Sequence, residues 1–585
     1  MDQTCREQIY SEDYQDYLVE HVGNDELLKK WYSTDCFQII SNRFAVVYMN
    51  RDRVHYDSWS GVYITPHVYG LMSSDEVLEE MGVAQVQRLP NLGLYGQGVM
   101  VGFIDTGIDY THPAFLNADG TSRIWRIWDQ TIQESVTADG EDHTPEGINF
   151  GREYTTEELN EAIASDDPWS LVPSRDENGH GTFLAGVACG NRDDSKEFSG
   201  VAPLASICVV KCKEAKQNLR EYYHVQGSEP CYAESDIMLG VRYLWNQAVK
   251  REMSLVICLG MGTNLGGHNR GGMLGEMLAY YGDYRGTFVV TGVGNEANMS
   301  HHFRSEMVPA GGSTEVELRV GAGRGGFTME LWSDAPNLYS VGLISPSGEY
   351  SGKTVARLGE RSTIRFLFEQ TTVQIEYLLI SYESGDECIR MRFSEPQEGI
   401  WRLRVFNENK LGSSFHIWLP IRNFITDETY FLQADPDTTI CDPANNYNII
   451  SVAYYNSVTR GISIDSGRGY NRIGLVKPDI AAPGIEILGP LPEIGTEVLP
   501  PAERAERARY GYQSGSSVAT ALTAGTVALI VEWGLVRRND ISMDTLTVQK
   551  YLIQGANPAG NEMPNRTWGN GLLDLFGVFD VLRPK

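Results

Sequence analysis

The chain has 585 residues, more than one compact domain holds, so at least two domains are expected. Hydrophobic residues make up 42% and charged residues 21%, the balance of a soluble globular protein able to fill a large core. Lys and Arg total 48 against 77 Asp and Glu, a net charge of -29. A surface that acidic repels nucleic acid and anionic membranes, so neither is expected as a partner. The nine Cys are odd in number and cannot all pair. Cys189, Cys208 and Cys258 sit in apolar runs, where free Cys packs as a small hydrophobe. This is no secreted disulfide framework, and a reducing compartment is expected.

The N-terminus, Met1-Asp2-Gln3-Thr4-Cys5, has no basic or apolar region of a signal peptide, and no stretch reads as a membrane span. A cytoplasmic or spore-associated location is the expectation. The first segment predicts two strands, Phe44-Ala45-Val46-Val47-Tyr48 and Gly61-Val62-Tyr63-Ile64-Thr65, and a short helix over residues 74–80 capped by Ser73 or Ser74. From Gly98 the pattern changes. Val99-Met100-Val101-Gly102-Phe103-Ile104 is a continuous apolar run, as in a strand buried on both faces. Similar runs cover residues 207–210, 255–259 and 287–290, and Ile237, Met238, Val241, Leu244, Trp245, Ala248 and Val249 share one face of a helix. Strands separated by helices imply a parallel sheet covered by helices.

From about His301 to Ala434 strand follows strand with turns between, as at Ser345-Pro346-Ser347-Gly348, and a β-sandwich or jelly roll is expected. The predicted strands span residues 314–320, 327–332, 362–368, 373–380, 401–406 and 414–419. The α/β pattern resumes at 447–452 and ends in helices over 517–533 and 547–553. The β stretch is therefore read as an insertion. It carries no Ser, His and Asp set and no metal-ligand cluster, and His416 in its apolar strand reads as packed.

Three short segments carry the chemistry. Asp105, in Ile104-Asp105-Thr106-Gly107, stands at the end of a buried strand, where open α/β sheets place functional groups. His180 lies in Asn178-Gly179-His180-Gly181-Thr182 at a helix start, and Ser517 follows Ser514-Gly515-Ser516 at the start of the long apolar helix. Taken singly, each reads equally well as a cap or a turn residue. Together they supply a hydroxyl nucleophile, a base to remove its proton and a carboxylate to hold the base, in the order Asp, His, Ser that distinguishes subtilisin from other serine hydrolases.

At this point the chain resembles the subtilases, and the likeness runs past the triad. Gly200-Val201-Ala202-Pro203, Val293-Gly294-Asn295-Glu296, Lys477-Pro478-Asp479-Ile480-Ala481-Ala482-Pro483-Gly484 and Gly569-Asn570-Gly571-Leu572-Leu573-Asp574 resemble family segments in family order. The resemblance implies an α/β fold with a subtilisin-like parallel sheet flanked by helices and a serine endopeptidase acting through an acyl-enzyme; no cofactor is expected, and no metal or calcium loop is read in the residues. It makes Ser517 the nucleophile, His180 the base and then acid, Asp105 its orienting partner and Asn295 the oxyanion donor beside the Ser517 N–H. Cys258-Leu259-Gly260 resembles the strand edge that pairs with an extended peptide substrate, and Gly292-Val293-Gly294 the opposite pocket wall.

Departures narrow the likeness. Ala521-Leu522-Thr523-Ala524-Gly525 stands where many subtilases have Pro-His, and Phe183 where a second His is common. Those features, the N-terminal segment and the β insert resemble the Csp-type germination proteases of spore-forming Firmicutes. That subgroup implies a zymogen whose short α+β prodomain stays bound in cis after autoprocessing, with a jelly-roll domain inserted in the subtilase fold. The expected division is a prodomain at 1–73, catalytic segments at 74–300 and 435–585, and the insert at 301–434. The expected self-cleavage region is Tyr69, Gly70, Leu71, Met72, Ser73, Ser74 and Asp75, because the chain from Thr65-Pro66 is extended and mostly apolar and fits along Leu259-Gly260. Two other readings stand beside this one. A pseudoprotease would bind and regulate a partner, with Ser516 and Thr520 disturbing the nucleophile, and a general degradative peptidase would have no tie to spores. His301-His302 finds no third metal ligand, and Asp119, Asp139 and Asp142 read as a solvated loop.

Overall fold

The computed structural model describes residues 3–21, 28–30, 36–50, 65–71, 78–133, 135, 142–322, 325–381, 384–493 and 508–583. At its centre the apolar runs form an eight-stranded sheet. In spatial order the strands are Ile480–Pro483, Ile450–Tyr455, Thr287–Gly292, Ser254–Leu259, Val99–Asp105, Ser206–Lys211, Ile124–Asp129 and Arg152–Thr155. Neighbours run parallel except the last pair, which is antiparallel.

Strand Val99–Asp105 shows why an unbroken apolar run belongs here. All seven residues are buried, and alternate side chains serve opposite faces. Val99, Val101 and Phe103 pack with helices His180–Cys189 and Ser516–Val531, while Met100 and Ile104 pack with helix Glu234–Lys250. The helix from Ser516 runs on to Val536 and is apolar and long enough to cross a membrane, which corrects the expectation that no stretch reaches that length. It is buried inside the protein, where an apolar helix serves as a core element.

Helix Gln3–Tyr10 and a three-stranded antiparallel sheet, ordered Tyr14–Glu20, Phe44–Asn50, Phe37–Ile39, form the first unit. Ile9, Leu18, Val46 and Tyr48 join the same apolar cluster as Ile237, Met238 and Val241 of helix Glu234–Lys250, so this unit covers the outer side of that helix. A disulfide links Cys5 to Cys36 within it, and the other seven Cys are buried. The pair lies 31 residues apart and is brought together by packing, which no local spacing announces. Residues 61–64 of the second expected strand and 74–77 of the expected helix lie outside the described residues. Residues 78–80 form a turn, and the helix comes later, at Val83–Arg88, after Gly82 at φ 68° breaks the chain.

Between the strands Thr287–Gly292 and Ile450–Tyr455 the chain builds two antiparallel sheets and, among the described residues, no helix. One has six strands, from His302–Arg304 through His416–Trp418, Phe327–Ser333, Glu387–Ser394 and Thr372–Leu378 to Arg361–Arg365. The other has four, in the order Tyr339–Ile344, Gly399–Asn407, Ser313–Val320, Tyr430–Phe431. Their facing side chains share one core, including Met329, Ile389 and Val373 from the first and Val341, Val405 and Leu318 from the second.

Glu387 is buried at the edge of that core, accepting from Tyr339 N–H at 2.9 Å and Ser333 Oγ at 3.0 Å. Burial pushes its carboxyl from 4.5 up to about 8, and Glu408 adds to the rise against the two donors. A folded value above the unfolded one means that proton binding favours the fold. The contribution is present in full below 4.5 and is lost as pH rises through about 8. Melting curves between pH 5 and 9 are therefore expected to show wild type losing stability with rising pH more steeply than Glu387→Gln. Parallel curves for the two proteins would rule out a buried protonated Glu387.

Candidate active site

Asp105 ends the central strand, and its Oδ1 accepts from Thr106 N–H at 2.8 Å. Its backbone oxygen is held by Cys212 N–H at 2.8 Å. His180 opens helix His180–Cys189 and places Nδ1 2.8 Å from the same Asp105 oxygen. A carboxylate only accepts, so Nδ1 carries the hydrogen and a neutral ring leaves Nε2 as an acceptor. That nitrogen lies 3.0 Å from Ser517 Oγ. Ser517 is the second residue of helix Ser516–Val531, and 337 residues separate it from His180 in the chain. Thus three residues from a strand end and two helix starts form one chain of hydrogen bonds.

What aligns them is a residue that sequence reasoning passed over. Asp176, 4% exposed, accepts from Thr106 Oγ1 at 2.7 Å and Gly179 N–H at 2.8 Å through one oxygen. Its other oxygen accepts from Thr182 N–H at 2.8 Å and Thr182 Oγ1 at 2.6 Å. Gly181 N–H donates to Thr106 Oγ1 at 2.9 Å, tying the helix start to the strand end. The approach is so close that a Cβ on Gly181 would stand 2.2 Å from Gly107 O. An acidic residue just before a helix N-terminus is the one local signal for this role.

Asn295 follows the strand Thr287–Gly292, and its Oδ1 accepts from Ser516 N–H at 3.1 Å. A donor facing Oδ1 fixes which end of the amide is which, and the NH2 end is left for the cleft beside the first N–H groups of the helix. Two N–H donors there suit an oxyanion. Ser516 Oγ accepts from Gly294 N–H at 3.1 Å, and Thr520 Oγ1 donates to Ser516 O at 2.7 Å. Both hydroxyls brace the nucleophile's backbone, against the expectation that they could disturb it.

The two candidate substrate walls flank the triad through backbone. A Cβ on Gly260 would lie 3.1 Å from Ser517 Cβ and 3.2 Å from His180 Cε1, so the wall passes directly beside the reacting groups. Leu259 ends the strand Ser254–Leu259. The Cys258 side chain belongs to the sheet core, where burial pushes its thiol well up, so only its backbone serves the wall. Gly292 ends the facing strand, the Val293 side chain is buried with Ile440 and Ala444, and Gly294 carries the wall on to Asn295. Strand Val68–Leu71 lies between the short strands Met261–Gly262 and Tyr232–Ala233. Its backbone pairs Leu71 with Met261 and Gly70 with Gly262 on one side, and Val68 with Ala233 and Tyr69 with Tyr232 on the other. The expected partner was Leu259-Gly260, one step nearer the triad. Met72, Ser73, Ser74 and Asp75 lie outside the described residues.

The remaining polar candidates have structural partners. His301 Nδ1 is 3.0 Å from Glu296 Oε2, and His302 Nε2 is 2.9 Å from His416 Nδ1 in a stack with Trp418. Asp119 and Asp142 turn onto Thr121 and Thr144, while Asp139 lies outside the described residues. Among the described residues no group of three His, Cys, Asp or Glu is gathered to hold a metal ion.

The fold and site are those of a subtilisin-like serine protease. The subtilase family model matches residues 96–348 and 427–571, and the chain belongs to the subtilase family. It is similar to the CspB protease of Clostridium perfringens, with a TM-score of 0.73 and 28% identity over 86% of this chain and 97% of that one. Among sequences, it is 23% identical to the subtilisin-like protease SBT1.9 of Arabidopsis thaliana over 93% of this chain and 74% of that protein. The subtilisin-like protease SBT2.2 of the same plant is 33% identical over 20% of this chain and only 15% of its own length.

If Asn295 faces a developing oxyanion, Asn295→Ala is expected to lower kcat by about a hundredfold or more with little change in KM, since the contact is made in the transition state. Near-normal turnover by the variant in a steady-state peptidase assay would remove Asn295 from that role.

Proposed function

We propose that the protein is a serine endopeptidase made as a zymogen. The observation that carries this is the Asp105–His180–Ser517 hydrogen-bond chain, at 2.8 and 3.0 Å, set beside the Asn295 amide and a helix N-terminus. As Ser517 Oγ attacks the peptide carbonyl carbon, His180 Nε2 takes its proton, and Asp105 stabilises the imidazolium that forms. The carbonyl oxygen takes up the negative charge against the Asn295 amide and the Ser517 N–H. His180 then protonates the leaving amine, and water releases the acyl group by the same steps in reverse.

The N-terminal unit acts as the prodomain in this reading. Its sheet is anchored by Lys216 Nζ, which donates to Asp16 Oδ1 at 2.6 Å and Tyr14 O at 3.2 Å. Its outgoing chain is held where His67 N–H meets Glu234 Oε2 at 3.2 Å and Glu234 N–H meets His67 O at 2.8 Å. Strand Val68–Leu71 then runs antiparallel to Met261–Gly262 in the direction that leads to Gly260 and Ser517. Ser517 is 0% and His180 4% exposed, so a substrate needs the cleft to open first. Self-cleavage within Tyr69–Asp75 would free the strand's C-terminal end while the sheet stays docked, and the high local concentration of the product would inhibit until it is removed. The resemblance to Csp-type germination proteases supports a role in spores, where the target would be a cortex-lytic zymogen.

Intact-mass measurement of purified wild type beside Ser517→Ala tests the zymogen. Two co-purifying fragments from wild type, with the cut in the window 69–76, and one full-length mass from the variant are expected. A single full-length mass from wild type that still takes a fluorophosphonate on Ser517 would sink autoprocessing alone. Failure of that label would instead favour the pseudoprotease reading.

A further inference from the structure

Cys441 sits between Gly294 of one candidate wall and Gly262, two residues past the end of the other. It lies outside both walls in sequence, on the segment that leads from the antiparallel sheets back into the central sheet. Hydrogen bonds fix it to one wall and to the chain just beyond the other. Cys441 N–H donates to Val293 O at 2.9 Å, Asp442 N–H to Thr263 O at 2.9 Å, and Thr263 N–H to Asp442 O at 3.0 Å. Its thiol donates to Asn264 Oδ1 at 3.4 Å.

Glycine stands on both sides of the thiol. A Cβ on Gly294 would stand 2.3 Å from Cys441 Sγ, and a Cβ on Gly262 would stand 2.9 Å from Cys441 Cβ. Real Cβ atoms do not approach that closely, so the two glycines are the room that Cys441 occupies. A pocket of about 40 Å³ remains, whose lining includes Gly262, Gly294, Asn295, Glu296, Phe424 and Cys441. Asn295 in that lining ties the pocket to the oxyanion donors. The side chain of the residue whose carbonyl is attacked must enter beside those donors.

We infer that Cys441 is a specificity-determining residue, closing the pocket for the P1 side chain so that the enzyme cuts after small residues such as Ala or Ser and rejects aromatic ones. This rests on the serine endopeptidase reading above. A ring would have to displace Sγ from a backbone bonded to one wall and to the chain just beyond the other, and close-packed walls do not yield cheaply. The preference also bears on the chain's own cut. Beyond Leu71 the sequence reads Met72-Ser73-Ser74-Asp75, in which only the serines are small.

The test compares kcat/KM for tetrapeptide anilides with Ala or Phe at P1, together with the new N-terminus of the self-cleaved protein. A fluorophosphonate without a P1 side chain monitors Ser517 separately. Wild type is expected to favour Ala by about tenfold or more, a ratio within reach of pocket size alone. Cys441→Gly is expected to shift the ratio at least about tenfold toward Phe, and the near-isosteric Cys441→Ser to keep the preference for Ala. If Cys441→Gly does not fold, the wild-type ratio and the cut site decide. Phe accepted as well as Ala, or a self-cut after Leu71 or Met72, overturns the inference while a labelled Ser517 leaves the protease reading intact. An unlabelled Ser517 with no hydrolysis of either peptide overturns both.

Discussion

Asp176 takes four hydrogen bonds in a place that water does not reach, and the triad's geometry depends on them. The strand that ends at Asp105 and the helix that begins at His180 come from distant parts of the chain, and backbone packing alone would set them to within about an ångström. That tolerance is too loose for proton transfer, where misplacement on that scale costs about a hundredfold in rate. One carboxylate that accepts from Thr106 of the strand loop, Gly179 of the helix approach and Thr182 of the helix removes the slack. Hydrogen bonds to a charged group contribute about 1.5–3 kcal/mol each, and a buried carboxylate stripped of partners costs several. The arrangement is therefore stiff because its alternative is an unpaired buried charge.

The same logic holds the N-terminal unit. Asp16 and Lys216 meet with both side chains only 6% exposed, and Lys213 meets Asp236 beside them. Burial raises the Asp236 carboxyl to about 6 against the pull of Lys213. Breaking a buried pair by losing one member costs about 3–5 kcal/mol. Undocking differs from mutation, because both members of the Asp16–Lys216 pair would gain water. The apolar contacts of Ile9, Leu18, Val46 and Tyr48 then carry the net stability, while the charges fix where the unit sits.

Much of this was legible in the chain because the signals are local. An apolar run buried on both faces reads as one strand wherever it occurs, as at Val99–Asp105 and Ser254–Leu259. The three segments around Asp105, His180 and Ser517 read together because glycines and helix starts surround each. Strands with mixed faces were harder. Arg152–Thr155 and Ile124–Asp129 escaped notice because charged residues interrupt them at the sheet edge, and Glu387–Ser394 because Glu387, Arg390 and Arg392 break its apolar pattern. Arg390 is there to meet the buried Glu330 of the neighbouring strand at 2.7 Å, a pairing visible only in three dimensions. Cys441 and the Cys5–Cys36 bridge share that property, each acting through residues remote in sequence, so neither period nor spacing points to them. Asp176 shares it only through Thr106, since Gly179 and Thr182 are its near neighbours in the chain.

The placement of the antiparallel sheets follows from these long-range contacts. The chain leaves the central sheet through Asn295 and Glu296 and returns past Arg422 to Cys441, so both feet of the insertion stand on the site. Arg422 N–H donates to Glu296 at 3.1 Å, its guanidinium donates to Asn295 O, and His301 closes on Glu296 at 3.0 Å. Glu296 is 3% exposed, and without Arg422 and His301 it would be a buried carboxylate stripped of its close partners. The loop that aims the Asn295 amide is thus clamped by residues that the insertion positions. A rigid pair of sheets with its own core, anchored on the loop of the Asn295 amide, stiffens that loop as Asp176 stiffens the His180 helix. The two halves of the site, the Asp105–His180–Ser517 hydrogen-bond chain on one side and the Asn295 amide on the other, are each braced by a buried carboxylate.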